Sequence, residues 1–305
     1  MCRTVLPALA LAAVPGRRLA TLELAREIEK RGFDGIYCAS FGDNLGLCLA
    51  LAQATERIRF GTSIANIYAR HVSDYALSAS LIHELSGGRF SFGVGVSHGP
   101  SNQRLGVKPD SPLVDMREFA QALPRVPRAG EQPPLVIAAL RRRMVGLAGE
   151  LAQGVVFANA ARSHMKASLE ALPDPKRESD DFFIGNMIPT CISEDRAAAA
   201  AVNRRTLTGY AMLPNYRNYW KEAGYQEEME AVEAALARGE RDRVPDLLSD
   251  RWLSDTTLFG PVQAIREGVQ AWREAGVRTP ILVPSSVVGK QVQAFAELFD
   301  AFEAA

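Results

Sequence analysis

The chain has 305 residues, of which 47% are hydrophobic, and its 35 lysines and arginines balance its 35 aspartates and glutamates. A chain of this length and composition can bury a large core, which excludes a disordered or fibrous protein. The net charge of zero provides no overall field to hold nucleic acid or an anionic membrane, so neither partner is expected. Any anion site must therefore be local.

The start of the chain, MCRTVLPALALAAVPGRR, has two interpretations. One arginine, an apolar stretch and small residues are typical of a secretory signal. The stretch is short, however, and the pattern that follows needs it as a first strand, so we favour the strand. The four cysteines (Cys2, Cys38, Cys48 and Cys191) form no CxxC pair, which predicts neither a zinc site nor a disulfide framework. A reducing cytoplasm is the expected location.

The first half of the chain alternates strand-like and helix-like segments, which predicts parallel strands with helices outside them. The predicted strands are Thr4–Ala10, Gly35–Ala39, Arg57–Ile64, Phe90–Val96, Pro134–Ala138 and Val155–Ala158. The predicted helices between them are Ala20–Lys30, Leu45–Ala54, Ser73–Leu85, Arg117–Leu123 and Arg141–Ala152.

After Phe182 the pattern changes. FFIGNMIPTCI is a long strand candidate, and a helix follows at Arg196–Gly209. Residues 210–258 are helical, irregular and rich in tyrosine and tryptophan. A helix at Pro261–Ala275, a strand at Pro280–Val283 and a helix from Lys290 restore the rhythm. About eight strands predict a (β/α)8 TIM barrel with a helical excursion before the last strand, in a single domain over residues 1–305. The excursion is expected to be a lid or a subunit interface.

The segment RFSFGVGVSHGP places bulky residues on one strand face and Ser91, Gly93 and Gly95 on the other. In a barrel, the bulky face would meet the outer helices, and the bare face would let a flat group approach the backbone. His98 would then lie at the C-terminal mouth, where barrel enzymes carry reactive groups. The alternative is a glycine strand that only relieves crowding. The spacing G-x-G-x-x-x-G does not match the dinucleotide fingerprint.

The segment RFGTSIANIYARH ends a strand in polar residues and then presents Tyr68, Arg70 and His71. A functional loop and an ordinary capped βα loop are equally compatible with it. His83 fits the packing face of the next helix. His164 has no evident partner in the sequence.

The segment AALRRRM puts three arginines where a buried strand ends and a helix begins. A packed interior would exclude such a cluster, so it indicates a bound anion. Backbone N–H groups at a helix start also favour an anion. Helical geometry separates successive side chains by roughly 100°, so at most two of the three would face the same ligand.

Five segments in sequence carry a resemblance to the bacterial luciferase-like superfamily, and within it to oxidoreductases that use FMN or the deazaflavin coenzyme F420. They are GFDGIYCASFGD, RIRFGTSIANIYARH, HELSGGRFSFGVGVSHGP, PPLVIAALRRRMVGLAGELAQGVVFANA and TLFGPVQAIREGVQAWREAGVRTPILVPSS. The resemblance implies a TIM barrel with the cofactor ring at its C-terminal mouth, and a non-prolyl cis peptide between Ser63 and Ile64.

The resemblance also implies the site. The expected cofactor-binding residues are Ser40, Ser63, Ile64, Asn66, Val96, Ser97, Ala139, Leu140, Arg141 and Arg142. Tyr68, His71, Tyr216 and Trp220 are expected on the substrate side. His98 occupies the position of a catalytic carboxylate in the sugar-phosphate dehydrogenase branch, and we expect it to be the catalytic residue. No metal is expected.

Two departures from that branch matter. Ser40 and Phe41 stand where it has an Asp-His pair, so its proton donor is missing. Arginines stand where the family commonly has glycines around the cofactor phosphate, which suggests side-chain contacts to the phosphate from Arg141 and Arg142 rather than Arg143.

The resulting hypothesis is an oxidoreductase that transfers hydride between reduced F420 or FMN and a small organic substrate, or activates oxygen with FMN. The missing Asp-His pair motivates an alternative, a flavin-binding protein without turnover. A barrel hydrolase that acts on a phosphorylated substrate is a third possibility. A homodimer is expected. The short segment Gly106–Glu131 predicts an open mouth.

Overall fold

The computed structural model describes residues 5–303, so Cys2 and the predicted strand start at Thr4 lie outside the described residues. The strands are β1 (Ala8–Leu11), β2 (Gly35–Ala39), β3 (Arg59–Ser63), β4 (Ala65–Asn66), β5 (Phe90–Gly95), β6 (Leu135–Ala138), β7 (Gly154–Ala158), β8 (Phe183–Ile192), β9 (Leu258–Gly260) and β10 (Thr279–Ser285). They belong to one sheet, and the fold is the predicted (β/α)8 barrel.

The α-helices alternate with these strands. They are α1 (Arg18–Lys30), α2 (Asn44–Ala54), α3 (Val72–Leu85), α4 (Gly99–Arg104), α5 (Pro112–Ala122), α6 (Arg142–Leu151), α7 (Met165–Leu169), α8 (Asp174–Glu178), α9 (Arg196–Ala211), α10 (Pro214–Glu222), α11 (Gln226–Ala237), α12 (Asp250–Thr256), α13 (Val262–Glu274) and α14 (Gln291–Phe302). No helix among residues 5–303 is long and apolar enough to cross a membrane.

Most predicted elements lie where the sequence places them. The helix predicted from Arg117 begins five residues earlier, at Pro112, because a proline suits the first turn of a helix. The strands β4 and β9 and the short helices α4, α7 and α8 were not predicted, because they have too few residues to show a period.

Side-chain caps explain where three of the helices begin. The Asp43 carboxylate accepts a hydrogen bond from the N–H of Gly46 at the start of α2 (3.0 Å), and Asp195 does the same for Ala198 at the start of α9 (3.0 Å). The Ser249 hydroxyl accepts from the N–H of Trp252 in α12 (3.1 Å). Short polar side chains at these positions satisfy N–H groups that the helix leaves without an acceptor.

The chain forms two compact units, and the predicted single domain stays a prediction. Unit 1 comprises the residues up to Val156 together with Glu170–Gly185. In it the parallel strands follow the order β1-β2-β3-β5-β6-β7, with registers such as Tyr37↔Gly61 and Gly93↔Val136. The short strand β4 continues beyond β3 and pairs with β5.

The bulky face of β5 meets the outer helices, as predicted. The Phe92 ring lies 5.5 Å from the ring of Tyr75 on α3, and the Phe90 ring lies 5.7 Å from that of Phe60. Just before this strand, the guanidinium of Arg89 donates to the backbone carbonyls of four residues and stands 5.3 Å from the centre of the Phe60 ring. Buried rings and a saturated guanidinium therefore fix the position of β5 against β3.

Unit 2 comprises Phe157–Leu169 and the residues from Asn186 onward. In it β8 pairs in parallel with β9, and β10 also pairs with β8. The predicted irregular excursion consists of α10, α11, a 3-10 segment at Arg241–Leu247, and α12. Its buried aromatic rings pack edge to face, with Trp220 and Trp252 centred 4.8 Å apart.

Candidate functional site

Four of the predicted cofactor-binding residues follow the carboxyl ends of four neighbouring strands in unit 1. Ser40 follows β2, Ile64 follows β3, Ser97 follows β5 and Arg141 follows β6. These strands are adjacent and parallel, so their ends meet at one edge of the sheet. This is the edge at which (β/α)8 barrels carry reactive groups.

The peptide between Ser63 and Ile64 is cis, as the family resemblance implies. The Ser40 hydroxyl accepts a hydrogen bond from the Ile64 N–H (3.0 Å) and donates to the Ile64 carbonyl (2.5 Å). The side-chain amide of Asn44 donates to the same carbonyl (3.0 Å). Two side chains from the β2–α2 connection thus hold the backbone of Ile64.

A second hydrogen-bond network joins β4 to the loop after β5. The Asn66 amide donates to the side-chain oxygen of the buried Asn102 (3.0 Å), whose own amide donates to the Val96 carbonyl (2.9 Å). The Tyr75 hydroxyl donates to the Asn66 carbonyl (2.6 Å), and burial raises the pKa of this phenol to about 12. The polar groups predicted to touch the cofactor at Asn66 and Val96 are therefore bonded to Asn102, which the sequence analysis missed.

The loop after β5 carries the predicted catalytic residue. Ser97 adopts a left-handed backbone conformation, with φ of 55°, and the half-buried His98 directly precedes α4. Burial lowers the pKa of His98 below its ordinary value of 6.5. The imidazole is therefore neutral near pH 7 and can accept a proton there.

The bare face of β5 is covered by neighbouring protein atoms. The expectation that this face is open to a flat ligand is therefore corrected. A β-carbon on Gly93 would stand 1.9 Å from the Thr62 carbonyl oxygen. A β-carbon on Gly95 would stand 2.8 Å from Cδ1 of Ile64 and 3.1 Å from the Ala138 β-carbon. Side chains are absent here because the β3 backbone and the Ile64 side chain already occupy the space.

The arginine cluster lies at the start of α6. Arg141 is the N-cap residue, the carbonyl of Arg141 accepts the N–H groups of Met144 (3.0 Å) and Val145 (3.2 Å), and the first turn contains no acidic residue. All three arginines are exposed. The N-terminus of a helix carries partial positive charge, so cations there are unfavourable unless an anion balances them.

Arg143 lies beside helix α5. It lines a groove between α5 and α6 together with Val114, Arg117 and Glu150, the last two of which form an ion pair (2.5 Å). That Arg141 and Arg142, rather than Arg143, face a ligand stays a prediction. Ala139 is buried and donates its N–H to the Val156 carbonyl (3.0 Å), while Leu140 is half-buried.

The two predicted substrate-side residues of unit 1 make contacts within the protein. The Tyr68 hydroxyl donates to the Asp115 carboxylate on α5 (2.6 Å), and burial, together with this carboxylate, raises its pKa. His71 caps α3, because its Nδ1 accepts the N–H of Ser73 (3.2 Å). The sequence analysis placed this helix start at Ser73 itself.

The other two predicted substrate-side residues, Tyr216 and Trp220, belong to unit 2 and are buried. The Trp220 indole donates to the Asn159 carbonyl (3.1 Å), and the Tyr216 ring is centred 5.4 Å from that of Trp220. The expectation that they face substrate needs correction, because their side chains are enclosed in an aromatic core.

Three residues of the site, Asn44, Asn102 and Asp115, were not predicted from the sequence. Each is a polar residue on or at the start of a helix, where polar residues are ordinary. Their partners lie 20, 36 and 47 residues away, so no local pattern marks them.

Residues 10–279 match the family described as luciferase-like monooxygenase. The chain belongs to this family. A family relative in Mycobacterium tuberculosis, named "Putative coenzyme F420-dependent oxidoreductase", is 26% identical over 90% of this chain and 93% of its own length.

Two solved structures show the same barrel. The coenzyme F420 dependent tetrahydromethanopterin reductase from Methanopyrus kandleri has a TM-score of 0.77 at 16% identity, covering 97% of this chain and 98% of that one. The oxygenating constituent of 3,6-diketocamphane monooxygenase from Pseudomonas putida, in complex with FMN, has a TM-score of 0.62 at 15% identity, covering 98% and 96%. At these identities the likeness concerns the fold.

Proposed function

We propose that this luciferase-like protein is an oxidoreductase in which reduced coenzyme F420 exchanges hydride with a small organic substrate. The observation that carries the proposal is the cluster of three exposed arginines at the start of α6, on the same sheet edge as Ile64 and His98. The name of the mycobacterial relative supports F420. FMN is the second candidate, supported by the FMN complex of the diketocamphane enzyme.

The residues at the edge suit either cofactor, because both carry a ribityl phosphate. The first turn of α6 offers backbone N–H groups, and Arg141 and Arg142 offer paired donors, with no carboxylate to compete in that turn. When bound, the cofactor supplies the hydride chemistry. The protein binds the phosphate, presents Ile64 and the small Ala138 at the mouth, and restricts access of water.

His98 is the proposed proton-transfer residue. Its imidazole is half-buried at the mouth, and its lowered pKa keeps it neutral at physiological pH. A neutral imidazole can take a proton from a hydroxyl group that is being oxidised, and can return it in the reverse direction. Ser40 and Phe41 stand in place of the Asp-His pair of the sugar-phosphate branch. Neither replaces that proton donor, because Phe41 is apolar and the Ser40 hydroxyl is bonded to Ile64.

The decisive experiment is a titration of the purified protein with F420 and with FMN, followed by absorbance and fluorescence. We expect saturable binding of F420 and consumption of reduced F420 with at least one ketone or imine acceptor from a broad panel. Binding of F420 without consumption across the panel would favour the alternative of a cofactor-binding protein without turnover. Affinity for neither cofactor would overturn the proposal.

The proposal includes a small-molecule substrate, a homodimer and a cytoplasmic location. The free thiols of Cys38, Cys48 and Cys191 suit a reducing compartment. Sedimentation velocity of the purified protein tests the dimer, and a single species at the monomer mass of 33.2 kDa would contradict it.

A further inference from the structure

We infer that Ser40 and Asn44 are positioning residues that act on the bound cofactor through the backbone of Ile64, and that Ser40 donates no hydrogen bond to the cofactor. This inference rests on the proposed function, because it assumes that Ile64 faces the cofactor. We call the three residues the Ile64 clasp.

The Ser40 hydroxyl uses its only proton within the protein. A serine hydroxyl has one proton, and here that proton goes to the Ile64 carbonyl (2.5 Å). A lone pair of the same oxygen accepts the Ile64 N–H (3.0 Å). Ser40 therefore has no further donor to offer a ligand, although its side chain is exposed at the mouth.

The Ile64 carbonyl oxygen accepts hydrogen bonds from both side chains. The Ile64 carbonyl has two lone pairs, and the Asn44 amide takes the second one (3.0 Å). Both polar backbone groups of Ile64 are thus satisfied by side chains of the β2–α2 connection. In an ordinary βα connection, such groups would bond to the neighbouring strand or to water.

The side chain of Ile64 is held as well. It lies against Gly95, in the space that a Gly95 β-carbon would need. Ile64 is therefore held through its backbone by Ser40 and Asn44 and through its side chain against β5. A residue held in this way has one position, and reactive geometry tolerates little displacement, with losses on the order of a hundredfold for about 1 Å.

The first test concerns the clasp in the cofactor-free protein. In Ser40→Ala the Ile64 N–H loses its acceptor, so its hydrogen exchange, measured by NMR, should be faster by about fivefold or more. The matched control is Ser86→Ala, which removes another hydroxyl-to-carbonyl bond (Ser86 Oγ to the His83 carbonyl, 3.0 Å) before β5. Unchanged Ile64 exchange in Ser40→Ala, or the same change in Ser86→Ala, would overturn the clasp.

The second test concerns the bound cofactor. Ser40→Ala and Asn44→Asp, which exchanges a donor for an acceptor at constant shape, should each shift the absorbance of bound F420 and lower kcat about fivefold to tenfold. The KM for the organic substrate should stay within about twofold. Because both side chains act on one carbonyl, the double variant should lose less than the product of the single losses. Ser40→Thr keeps the hydroxyl and should restore both readouts.

The outcomes separate this inference from the function it rests on. If the wild-type protein binds neither F420 nor FMN, the proposed function fails. If it binds and turns over while Ser40→Ala keeps its absorbance and kcat, or if the two losses multiply fully, the clasp fails and the function stands. Should Ser40→Ala not fold, Asn44→Asp carries the absorbance and kcat test, because it removes the second hydrogen bond to the Ile64 carbonyl.

Discussion

The side chain of Ile64 occupies the place of the β-carbon that Gly95 lacks. A carbon added there would lie 2.8 Å from Cδ1 and 2.9 Å from Cγ1 of Ile64. The glycine on β5 and the isoleucine after β3 are thus complementary in shape. The Ile64 side chain can take this position because Gly95 has no side chain.

Gly95→Ala should therefore destabilise the protein by about 1–3 kcal/mol, the usual cost of overpacking a core. Gly93→Ala should cost more, because its β-carbon would meet the backbone oxygen of Thr62 at 1.9 Å, and backbone cannot rotate away. Urea unfolding of each variant measures the difference. Adding Ile64→Ala to Gly95→Ala should recover part of the loss, and full additivity of the two changes would contradict the shape argument.

The arginines at the start of α6 should divide into two classes. Arg141→Ala and Arg142→Ala should each weaken cofactor binding by about tenfold or more, since each removes a charged donor that we propose binds the phosphate. Arg143→Ala should stay within about twofold, because Arg143 lines the groove with Arg117 and Glu150. Fluorescence titration at low and high salt measures these affinities.

A cofactor without phosphate provides the control for this prediction. Riboflavin in place of FMN, or the 8-hydroxy-5-deazaflavin riboside in place of F420, should bind the wild-type protein and the Arg141→Ala and Arg142→Ala variants alike. An equal loss with the phosphate-free molecules would show that the arginines act on the fold rather than on the anion.

The stability of the protein should respond to the titration of His98. Burial lowers its folded-state pKa below 6.5, so the unfolded chain takes up a proton first as the pH falls. Stability contributed by the neutral imidazole is present above about pH 6.5 and is lost as the pH falls through the lower folded-state pKa. His98→Gln should remove this part of the pH dependence.

Thermal unfolding of the wild type and His98→Gln at several pH values between about 7.5 and about 5.5 tests this response. The wild type should lose more stability than the variant over that range. Parallel curves would contradict the burial of the imidazole. In the proposed enzyme, kcat should also fall in His98→Gln while the affinity for F420 changes little.

A buried carboxylate in unit 2 should be a major contributor to its stability. Asp255 accepts hydrogen bonds from the Ser163 N–H (2.9 Å), the Ser163 hydroxyl (2.6 Å) and the Tyr225 hydroxyl (2.9 Å). Asp255→Ala leaves these donors without an acceptor and should cost about 3 kcal/mol. Tyr225→Phe removes a single bond and should cost about 1 kcal/mol. Urea unfolding of both variants measures these losses, and a cost for Asp255→Ala no larger than that of Tyr225→Phe would contradict this assignment.

The sequence alone determined the framework of the protein. Apolar runs such as PPLVI and FFIGNMIPTCI marked β6 and β8, and the alternation in RFSFGVGV placed Phe92 against the outer helices. These signals are local, because burial acts on residues two or four apart in one element. The arginines at the start of α6 were visible for the same reason, as a charge cluster beside a buried strand.

Only the tertiary structure decided how the mouth is built. Ser40 bonds to Ile64 across 24 residues, and Asn66 bonds to Asn102 across 36. In the folded chain, atoms of Ile64 and Thr62 also cover the bare face of β5. Tyr216 and Trp220 are enclosed in a core. Such contacts depend on which strands become neighbours, and a serine or an asparagine has the same local character whether or not a distant partner faces it.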